Sequence, residues 1–291
     1  MTQRTLDGPP GTLGLYGRAA LGSLPLAGRL PFVAGGGGDM PDTELVMEDV
    51  GVDTERLAEY CRVCGFTMRE AIPATYPHIL AFPLHMALMT QGDFPFPAVG
   101  LVHVQNRIEQ RRPIKATEKL QIRVSAGELQ PHPKGKTFAL QTSVSARNEE
   151  VWVSESTNLR RGEGSESASD SGPSFDPDLT AEAEWQLPGD LGRSYGGVSG
   201  DRNPIHMYGM TAKALGFPRQ IVHGMWTKAR CVAALEPRMP GAFEVEVAFK
   251  RPILLPSKVE FASGEAGGAV TFGVRSAKDG EPHLAGTAKP L

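Results

Sequence analysis

The sequence contains an internal repeat, and this feature constrains the fold more than any other. Three short segments of the first half recur in the same order in the second half. The pairs are Tyr60-x-x-Val63-x-Gly65 with Tyr195-x-x-Val198-x-Gly200, Arg112-Pro113-Ile114 with Arg251-Pro252-Ile253, and Ser145-Ala146-Arg147-Asn148 with Ser276-Ala277-Lys278-Asp279. Because three matches in one order are rare by chance, we expect two copies of one structural unit.

The composition of two segments predicts where the copies begin and end. Residues 1–40 are rich in glycine and proline and are expected to form a flexible N-terminal arm. Residues 161–178 have almost no apolar content and are expected to form a linker, because such a composition cannot pack a core. The copies would then occupy residues 41–160 and 179–291.

Each copy has the pattern of a helix followed by strands. In the second copy, apolar residues at helical spacing predict a buried helix over 222–235, and strict alternation predicts a strand over 243–249. The other predicted elements are strands at 258–262 and 269–274, and in the first copy a helix near 82–89 with strands at 101–107, 120–126 and 137–146. One buried helix wrapped by an antiparallel sheet, built twice, is an α+β architecture.

Composition and charge narrow the functional classes. The net charge of −3 gives no basic surface for nucleic acid or for an anionic membrane. No apolar run reaches the roughly 20 residues that span a bilayer. The mildly apolar stretch 13–33 is interrupted by Arg18, Pro25 and Arg29, so it does not have the unbroken centre of a signal peptide. We therefore expect a cytoplasmic protein.

The three cysteines do not predict a disulfide framework, because their number is odd and small. Cys61 and Cys64 form a C-x-x-C, which allows a redox or zinc interpretation. A structural zinc usually needs two such pairs, and only Cys231 remains. The simpler interpretation is two small residues on a helix.

The segment Gly200-Asp201-Arg202-Asn203-Pro204-Ile205-His206 is the candidate for chemistry. Asn203 is a good N-cap, and Pro204 suits the first helical position. A helix is therefore predicted to begin here and to run to Gly216, its expected C′ residue.

This turn is expected to bring Asp201 and His206 together. On one continuous helix the two side chains would point about 140° apart, but Asp201 lies on the turn before Pro204 and His206 on the first helical turn. An Asp and a His that face one water molecule form a proton-transfer device. The carboxylate should also keep the pKa of the imidazole near the working pH. No nucleophilic serine or cysteine accompanies them, so covalent catalysis is not expected.

A second element, Ile221-Val222-His223-Gly224-Met225, begins the predicted buried helix. Gly224 would let a substrate approach the backbone closely. Its N–H would lie at a helix N-terminus, which favours the negative charge that develops in an enolate-forming reaction beside a thioester carbonyl. His223 is interpreted as structural, because its backbone context explains it.

These residues resemble the MaoC-like (R)-specific enoyl-thioester hydratases. The family motif is Y-x-x-x-S/A-G-D-x-N-P-x-H, then a helix, then H-G-M, and this sequence matches it from Tyr195 to His206 and at 223–225. Over the whole chain the layout is similar to the two-repeat, double hot-dog members. It is especially similar to the actinobacterial 3-hydroxyacyl-thioester dehydratases of fatty-acid and mycolic-acid elongation.

The resemblance implies a double hot-dog fold and the reversible interconversion of trans-2-enoyl and (R)-3-hydroxyacyl thioesters, on coenzyme A or acyl carrier protein. It assigns Asp201 and His206 as the acid/base pair and the Gly224 N–H as the oxyanion donor. Asn203 and His223 are further candidates for substrate binding. The resemblance implies no metal and no cofactor besides the carrier of the substrate. Because the internal repeat already makes a dimer-like unit, the sequence leaves both a monomer and a homodimer open.

The first copy departs from the motif. Aligning Tyr60 with Tyr195 puts Phe66 at the position of Asp201 and Ala71 at that of His206. One active site per chain is therefore predicted, and the degenerate copy is expected to shape a channel for a longer acyl tail.

Two alternatives remain open. A hot-dog acyl-thioester hydrolase would usually carry its carboxylate on the buried helix, and residues 225–235 contain none. A non-catalytic acyl-thioester-binding protein would not need the intact pair of Asp201 and His206.

Overall fold

The computed structural model describes residues 2–22, 34–35, 37–168 and 172–291. Its contacts divide the chain into two units that alternate along the sequence. The segments of unit 1 are Met1–Gly51, Pro77–Val104 and Thr117–Ser171, and those of unit 2 are Val52–Tyr76, Gln105–Ala116 and Gly172–Leu291. Parts of the predicted arm (23–33 and 36) and of the predicted linker (169–171) lie outside the described residues.

The described residues form twelve strands and seven α-helices. The strands are β1 (Thr2–Leu6), β2 (Thr43–Val50), β3 (Leu101–Gln110), β4 (Leu120–Ala126), β5 (Gln130–His132), β6 (Gly135–Ala146), β7 (Glu149–Arg161), β8 (Ala181–Leu187), β9 (Phe243–Phe249), β10 (Ser257–Ala266), β11 (Ala269–Ser276) and β12 (Pro282–Pro290). The helices are α1 (Thr12–Gly22), α2 (Thr54–Cys64), α3 (Tyr76–Met89), α4 (Leu191–Ser199), α5 (Pro204–Met207), α6 (Gly209–Ala214) and α7 (Gly224–Leu235). Among these residues no helix has both the length and the apolar character needed to cross a membrane.

Unit 1 is built on a sheet with the strand order β1-β2-β4-β6-β7. Strand β1 runs parallel to β2, and the pairs from β2 to β7 are antiparallel. Helix α1 packs against α3, where Leu15 and Ala19 form a buried cluster with Met86. The range 1–40, expected to be a flexible arm, thus contains two packed elements. β1 satisfies its backbone hydrogen bonds on the edge of β2, and α1 removes apolar side chains from water.

Unit 2 is an antiparallel sheet with a largely buried helix, α7. The strand order is β3-β9-β12-β11-β10-β8. Lys228 of α7 is fully buried, and its Nζ donates to the main-chain oxygen and Oδ1 of Asn106 on β3 and to the main-chain oxygen of Val245 on β9. Burial lowers the pKa of Lys228 well below its usual value. Its hydrogen bonds reach β3 and β9, so this side chain fastens α7 to two strands.

The internal repeat is confirmed by strand order. Unit 1 contains the order β2-β4-β6-β7, and unit 2 contains the equivalent order β8-β10-β11-β12. Isolated bridges join Ala71 to Lys115 and Ile221 to Leu254, at the two matching Arg-Pro-Ile segments. The bridges therefore identify Ala71 as the counterpart of Ile221.

Candidate active site

Helix α4 ends in the turn that carries Asp201. Gly200 caps the helix in the left-handed conformation (φ 80°), which glycine adopts without steric cost, and its N–H donates to the carbonyl of Gly196. The N–H of Asp201 donates to Ser199 Oγ over 3.0 Å, and Oδ1 of Asp201 accepts the N–H of Asn203 over 3.1 Å. These bonds orient a carboxylate whose side chain is 29% exposed.

The chain then forms α5 with the predicted cap. Oδ1 of Asn203 accepts the N–H of Ile205 over 3.3 Å, and Pro204 is the first helical residue. The side chain of Asn203 is thus used in capping the helix, and its predicted role in substrate binding stays a prediction.

The single helix predicted from Pro204 to Gly216 is wrong, because the chain breaks at Tyr208. Tyr208 is extended (φ −145°, ψ 146°) between α5 and α6. The hydroxyl of Thr211 donates to the carbonyls of Pro204 and Tyr208 over 2.6 and 2.9 Å. The hydroxyl of Thr211 on α6 therefore bonds back to α5 across the break. Gly216 follows the second helix with φ 89°, as expected of a C′ residue.

His206 lies on α5 and is buried, with 8% of its surface exposed. Its Nδ1 is 2.8 Å from the carbonyl oxygen of Ile221. Because a carbonyl oxygen can only accept, Nδ1 carries the hydrogen and Nε2 of the neutral ring has a free lone pair. Burial lowers the pKa of His206 although Asp201 and the Ile221 carbonyl act in the opposite direction. The imidazole is therefore neutral at pH 7 and can accept a proton at Nε2.

Asp201, His206 and His223 each place a ligand-type atom within 4.8 Å of the others. The rings of His206 and His223 stack with centroids 3.7 Å apart and 27° between their planes. An imidazole binds a metal through a lone pair in its ring plane. The structure thus brings one carboxylate and two imidazoles together, and the absence of a metal from the reaction stays a prediction.

His223 holds the backbone of Asp201 in place. Its Nε2 donates to the main-chain oxygen of Asp201 over 2.9 Å and lies 3.9 Å from Oδ2 of the same residue. Burial, followed by the neighbouring His206, lowers the pKa of His223 to about 3. His223 therefore stays neutral, and its structural interpretation has a physical basis. Its contact with substrate stays a prediction.

Lowering the pH from 7 to 5 is expected to reduce the free energy of unfolding by about 2 kcal/mol for each of His85 and His223. Burial gives both imidazoles a folded-state pKa of about 3, whereas an unfolded histidine titrates near 6.5. Below pH 6.5 the unfolded chain thus binds protons that the folded chain does not, so stability falls with pH. Denaturant unfolding at both pH values measures this, and equal stability at pH 5 would contradict it.

Gly224 is the first residue of α7, so the helix itself does not bond its N–H. Gly224 is partly exposed, whereas residues 221–223 and 225–229 are buried. A Cβ added at Gly224 would meet the ring of Phe249 at 3.0–3.1 Å. A larger residue at this position would therefore force the ring of Phe249 to shift.

Arg56 supports the turn that carries Asp201, and the sequence analysis did not identify it. This half-buried side chain lies on α2, in the first copy of the repeat. Its Nε and Nη2 donate to the carbonyls of Val198 and Ser199 over 2.7 and 3.2 Å. The guanidinium thus binds the C-terminal end of α4 immediately before the turn that carries Asp201, where a cation is favourable.

Arg56→Ala is expected to lower the free energy of unfolding by about 2 kcal/mol, because two part-buried carbonyls lose a charged donor. Arg62→Ala is the matched control. Arg62 lies on the same helix and pairs with Glu59 on the exposed surface, where an ion pair contributes about 0–1 kcal/mol. Denaturant unfolding measures both losses, and equal losses would contradict the role given to Arg56.

The three cysteines are buried free thiols. Burial raises the pKa of each, that of Cys61 to about 11. Such thiols stay protonated at neutral pH and are poor nucleophiles, so Cys61 and Cys64 are core residues of α2.

Comparison with known proteins places this site in a family. Residues 173–282 match the family model described as a MaoC-like domain. The chain is 36% identical over 277 residues to 3-hydroxyacyl-thioester dehydratase X of Mycobacterium tuberculosis. The aligned region covers 94% of this chain and 96% of that protein. The chain belongs to the MaoC-like dehydratase family.

Solved structures confirm the fold of this MaoC-like protein. The crystal structure of HtdX from M. tuberculosis matches with a TM-score of 0.77 and 35% identity, over 85% of this chain and 100% of that one. The structure of a MaoC-like dehydratase from Phytophthora capsici matches with a TM-score of 0.69 and 18% identity, over 87% of this chain and 96% of that one. An M. tuberculosis protein described as having a double hot-dog fold matches with a TM-score of 0.55 and 12% identity, over 88% of this chain and 99% of that one. The predicted α+β, double hot-dog fold is confirmed.

In this MaoC-like chain the motif-bearing segment is an insertion in the second copy. Twenty residues (201–220) separate Gly200 from Ile221, whereas five (66–70) separate Gly65 from Ala71. The predicted equivalence of Ala71 with His206 is therefore wrong, because the first copy lacks the whole stretch that carries His206. Phe66 does follow Gly65 as Asp201 follows Gly200, but it is buried against Tyr60, with ring centroids 6.1 Å apart.

Proposed function

We propose that this MaoC-like protein is a hydro-lyase that interconverts trans-2-enoyl and (R)-3-hydroxyacyl thioesters. The observation that carries the proposal is the hydrogen bond from His206 Nδ1 to the carbonyl of Ile221. It leaves Nε2 as a proton acceptor in a cluster with the carboxylate of Asp201. The name of the relative with 36% identity, a 3-hydroxyacyl-thioester dehydratase, supports the same class of reaction.

In the hydration direction, Asp201 and His206 hold one water molecule and remove a proton from it. The water oxygen forms a bond to C3 while the C2–C3 π bond breaks, and the electron pair moves to the thioester oxygen. The N–H of Gly224 donates to this oxygen, where preorganised donors give their largest effect. The pair then returns the proton to C2, so the enzyme ends in its starting protonation state. Dehydration follows the same steps in reverse.

The lowered pKa of His206 suits this role, because a neutral imidazole is needed to accept the proton of water. The neutral His223 fits beside it, since a second imidazolium would repel the charge that develops on His206. An acyl-thioester hydrolase would instead direct water at the carbonyl carbon, and α7 offers no carboxylate for that purpose.

The test is a two-channel assay of the purified protein with a trans-2-enoyl coenzyme A thioester. We expect loss of the enoyl absorbance without release of free thiol, and a 3-hydroxyacyl product of R configuration on chiral chromatography. Thiol release at the rate of enoyl loss would identify a hydrolase. Binding without turnover would identify an acyl-thioester-binding protein, and either result would overturn the proposal.

A further inference from the structure

Helix α4 presents two buried glycines to the segment that carries Asp201 and His206. A Cβ added at Gly192 would lie 2.0 Å from the carbonyl oxygen of His206. A Cβ added at Gly196 would lie 2.8 Å from the carbonyl oxygen of Asp201. Cβ atoms are essentially never found within 3.0 Å of such an atom. Any larger residue would therefore push the main chain of the segment away from α4.

The two glycines lie on one side of α4, because residues four apart in a helix are neighbours. Between them in the sequence, Arg193 donates to the carbonyl of Met207 over 3.2 Å. Helix α4 thus contacts the main chain of the segment before Pro204 and again on α5. It supports both members of the acid/base pair from below, without contributing a reacting group.

The first copy of the repeat does not carry these glycines. When the copies are aligned on their shared tyrosines, Leu57 and Cys61 of α2 stand at the positions of Gly192 and Gly196. Both are buried side chains. The first copy also lacks the twenty-residue stretch 201–220 that follows α4. The glycines therefore accompany the motif-bearing segment and are not a general requirement of the repeated unit.

The glycines bear on the parts of the main chain from which the two reacting side chains extend. The carbonyl of Asp201 lies between Gly196 and His223, whose Nε2 donates to it over 2.9 Å. The imidazole of His206 extends from a main chain that rests on Gly192. Moving either main chain changes the separation of carboxylate and imidazole, and a misplacement of about 1 Å can cost about 100-fold in rate.

We propose that Gly192 and Gly196 are positioning residues, which set the separation of the Asp201 carboxylate and the His206 imidazole. This inference rests on the proposed function and names the part of the fold on which its acid/base pair depends. The missing Cβ atoms let α4 approach closely enough for both side chains to reach one water molecule.

Gly192→Ala and Gly196→Ala test this inference, with Gly197→Ala as the matched control. Gly197 lies on the same helix and is exposed, and a Cβ there would meet nothing within 4 Å. Alanine is a better helix former than glycine, so the control should keep wild-type kcat and should not unfold at a lower temperature.

The kinetic readout is the division of the effect between kcat and KM for an enoyl coenzyme A thioester. Gly192→Ala should lower kcat by about 100-fold. Gly196→Ala, whose overlap is smaller, should lower kcat by less. KM should stay near its wild-type value in both, because the interaction that is lost acts only in the transition state. Thermal unfolding shows whether each variant is folded.

The tautomer of His206 is a second readout, which a loss of stability alone would not change. Proton–nitrogen correlation NMR distinguishes a ring nitrogen that carries hydrogen from one with a lone pair, and His206→Asn assigns the signals by their loss. Wild type and Gly197→Ala should carry the hydrogen on Nδ1. In Gly192→Ala the ring moves relative to the carbonyl of Ile221, so both signals should shift toward the average of the two tautomers.

Wild-type kcat in both alanine variants, or a wild-type tautomer in folded Gly192→Ala, would overturn the inference. Failure of both to fold beside an intact Gly197→Ala would also overturn it, because the glycines would then hold the fold and not the pair. If only Gly192→Ala fails to fold, kcat and KM of Gly196→Ala decide. A changed tautomer in a protein that turns over no enoyl thioester would support the positioning role and remove the proposed function.

Discussion

Asp201→Asn is expected to lower kcat/KM for an enoyl thioester by about two to four orders of magnitude, the usual contribution of a positioned acid/base group. The amide of the variant cannot take a proton from water. It keeps an Oδ1 that can accept the N–H of Asn203, so the turn after α4 should be retained. The loss should therefore reflect chemistry and not a change of local structure.

Asp190→Asn is the matched control for this substitution. Asp190 precedes α4, is exposed, and makes no capping hydrogen bond through its side chain. We expect kcat/KM within about twofold of wild type, because surface substitutions away from special features cost within about 0.5 kcal/mol. Steady-state kinetics on both variants, with unfolding curves to show that each is folded, gives the comparison. Equal activity of the two variants would remove the role assigned to Asp201.

His206→Asn is expected to cause a loss of similar size, about two to four orders of magnitude in kcat/KM. An asparagine can place its amide nitrogen near the position of Nδ1 and can still donate to the carbonyl of Ile221. It has no group at the position of Nε2 that accepts a proton. The variant thus separates the structural bond of His206 from its proposed chemistry.

His206→Gln is the complementary variant, because it extends a polar group toward the Nε2 position and gives up the bond to Ile221. Neither variant can transfer a proton, so both should be nearly inactive. His206→Asn should lie closer to wild type in its free energy of unfolding. Substantial turnover by the glutamine variant would show that a hydrogen bond to water suffices there, against proton transfer at Nε2.

The sequence predicted those helices and strands whose apolar residues recur at a clear helical or alternating spacing. Strands β4 and β9 were predicted at their observed bounds, since apolar and polar residues alternate along them. The buried helix α7 was predicted within two residues. Strand β8 was missed because it carries glutamates at alternate positions with few apolar partners, and β12 because it is rich in small residues.

The candidate site was predicted only as far as local chemistry determines it. The cap at Asn203 and the meeting of Asp201 with His206 follow from the turn, so the segment itself contained the signal. The break at Tyr208 was not predicted; the hydroxyl of Thr211 bonds across it to the carbonyl of Pro204. The bond of Arg56 to α4 joins residues more than 140 positions apart, and no local pattern indicates such a contact.

The pKa of His206 shows a second limit of local reasoning. A carboxylate beside an imidazole was expected to keep that pKa near the working pH, but burial has the larger effect and lowers it. Burial depends on what covers the ring, including the stacked His223, and the sequence around His206 does not contain that information.

The most direct test of the central claim is a double-mutant cycle on kcat/KM with Asp201→Asn, His206→Asn and the combined variant. If the carboxylate and the imidazole act on one water molecule, removing either one should abolish proton transfer by the pair. The double variant should then be within about tenfold of the weaker single variant, as seen for residues that act as a unit. Losses that multiply in the double variant would mean that the two side chains work independently, and the account of the site would be wrong.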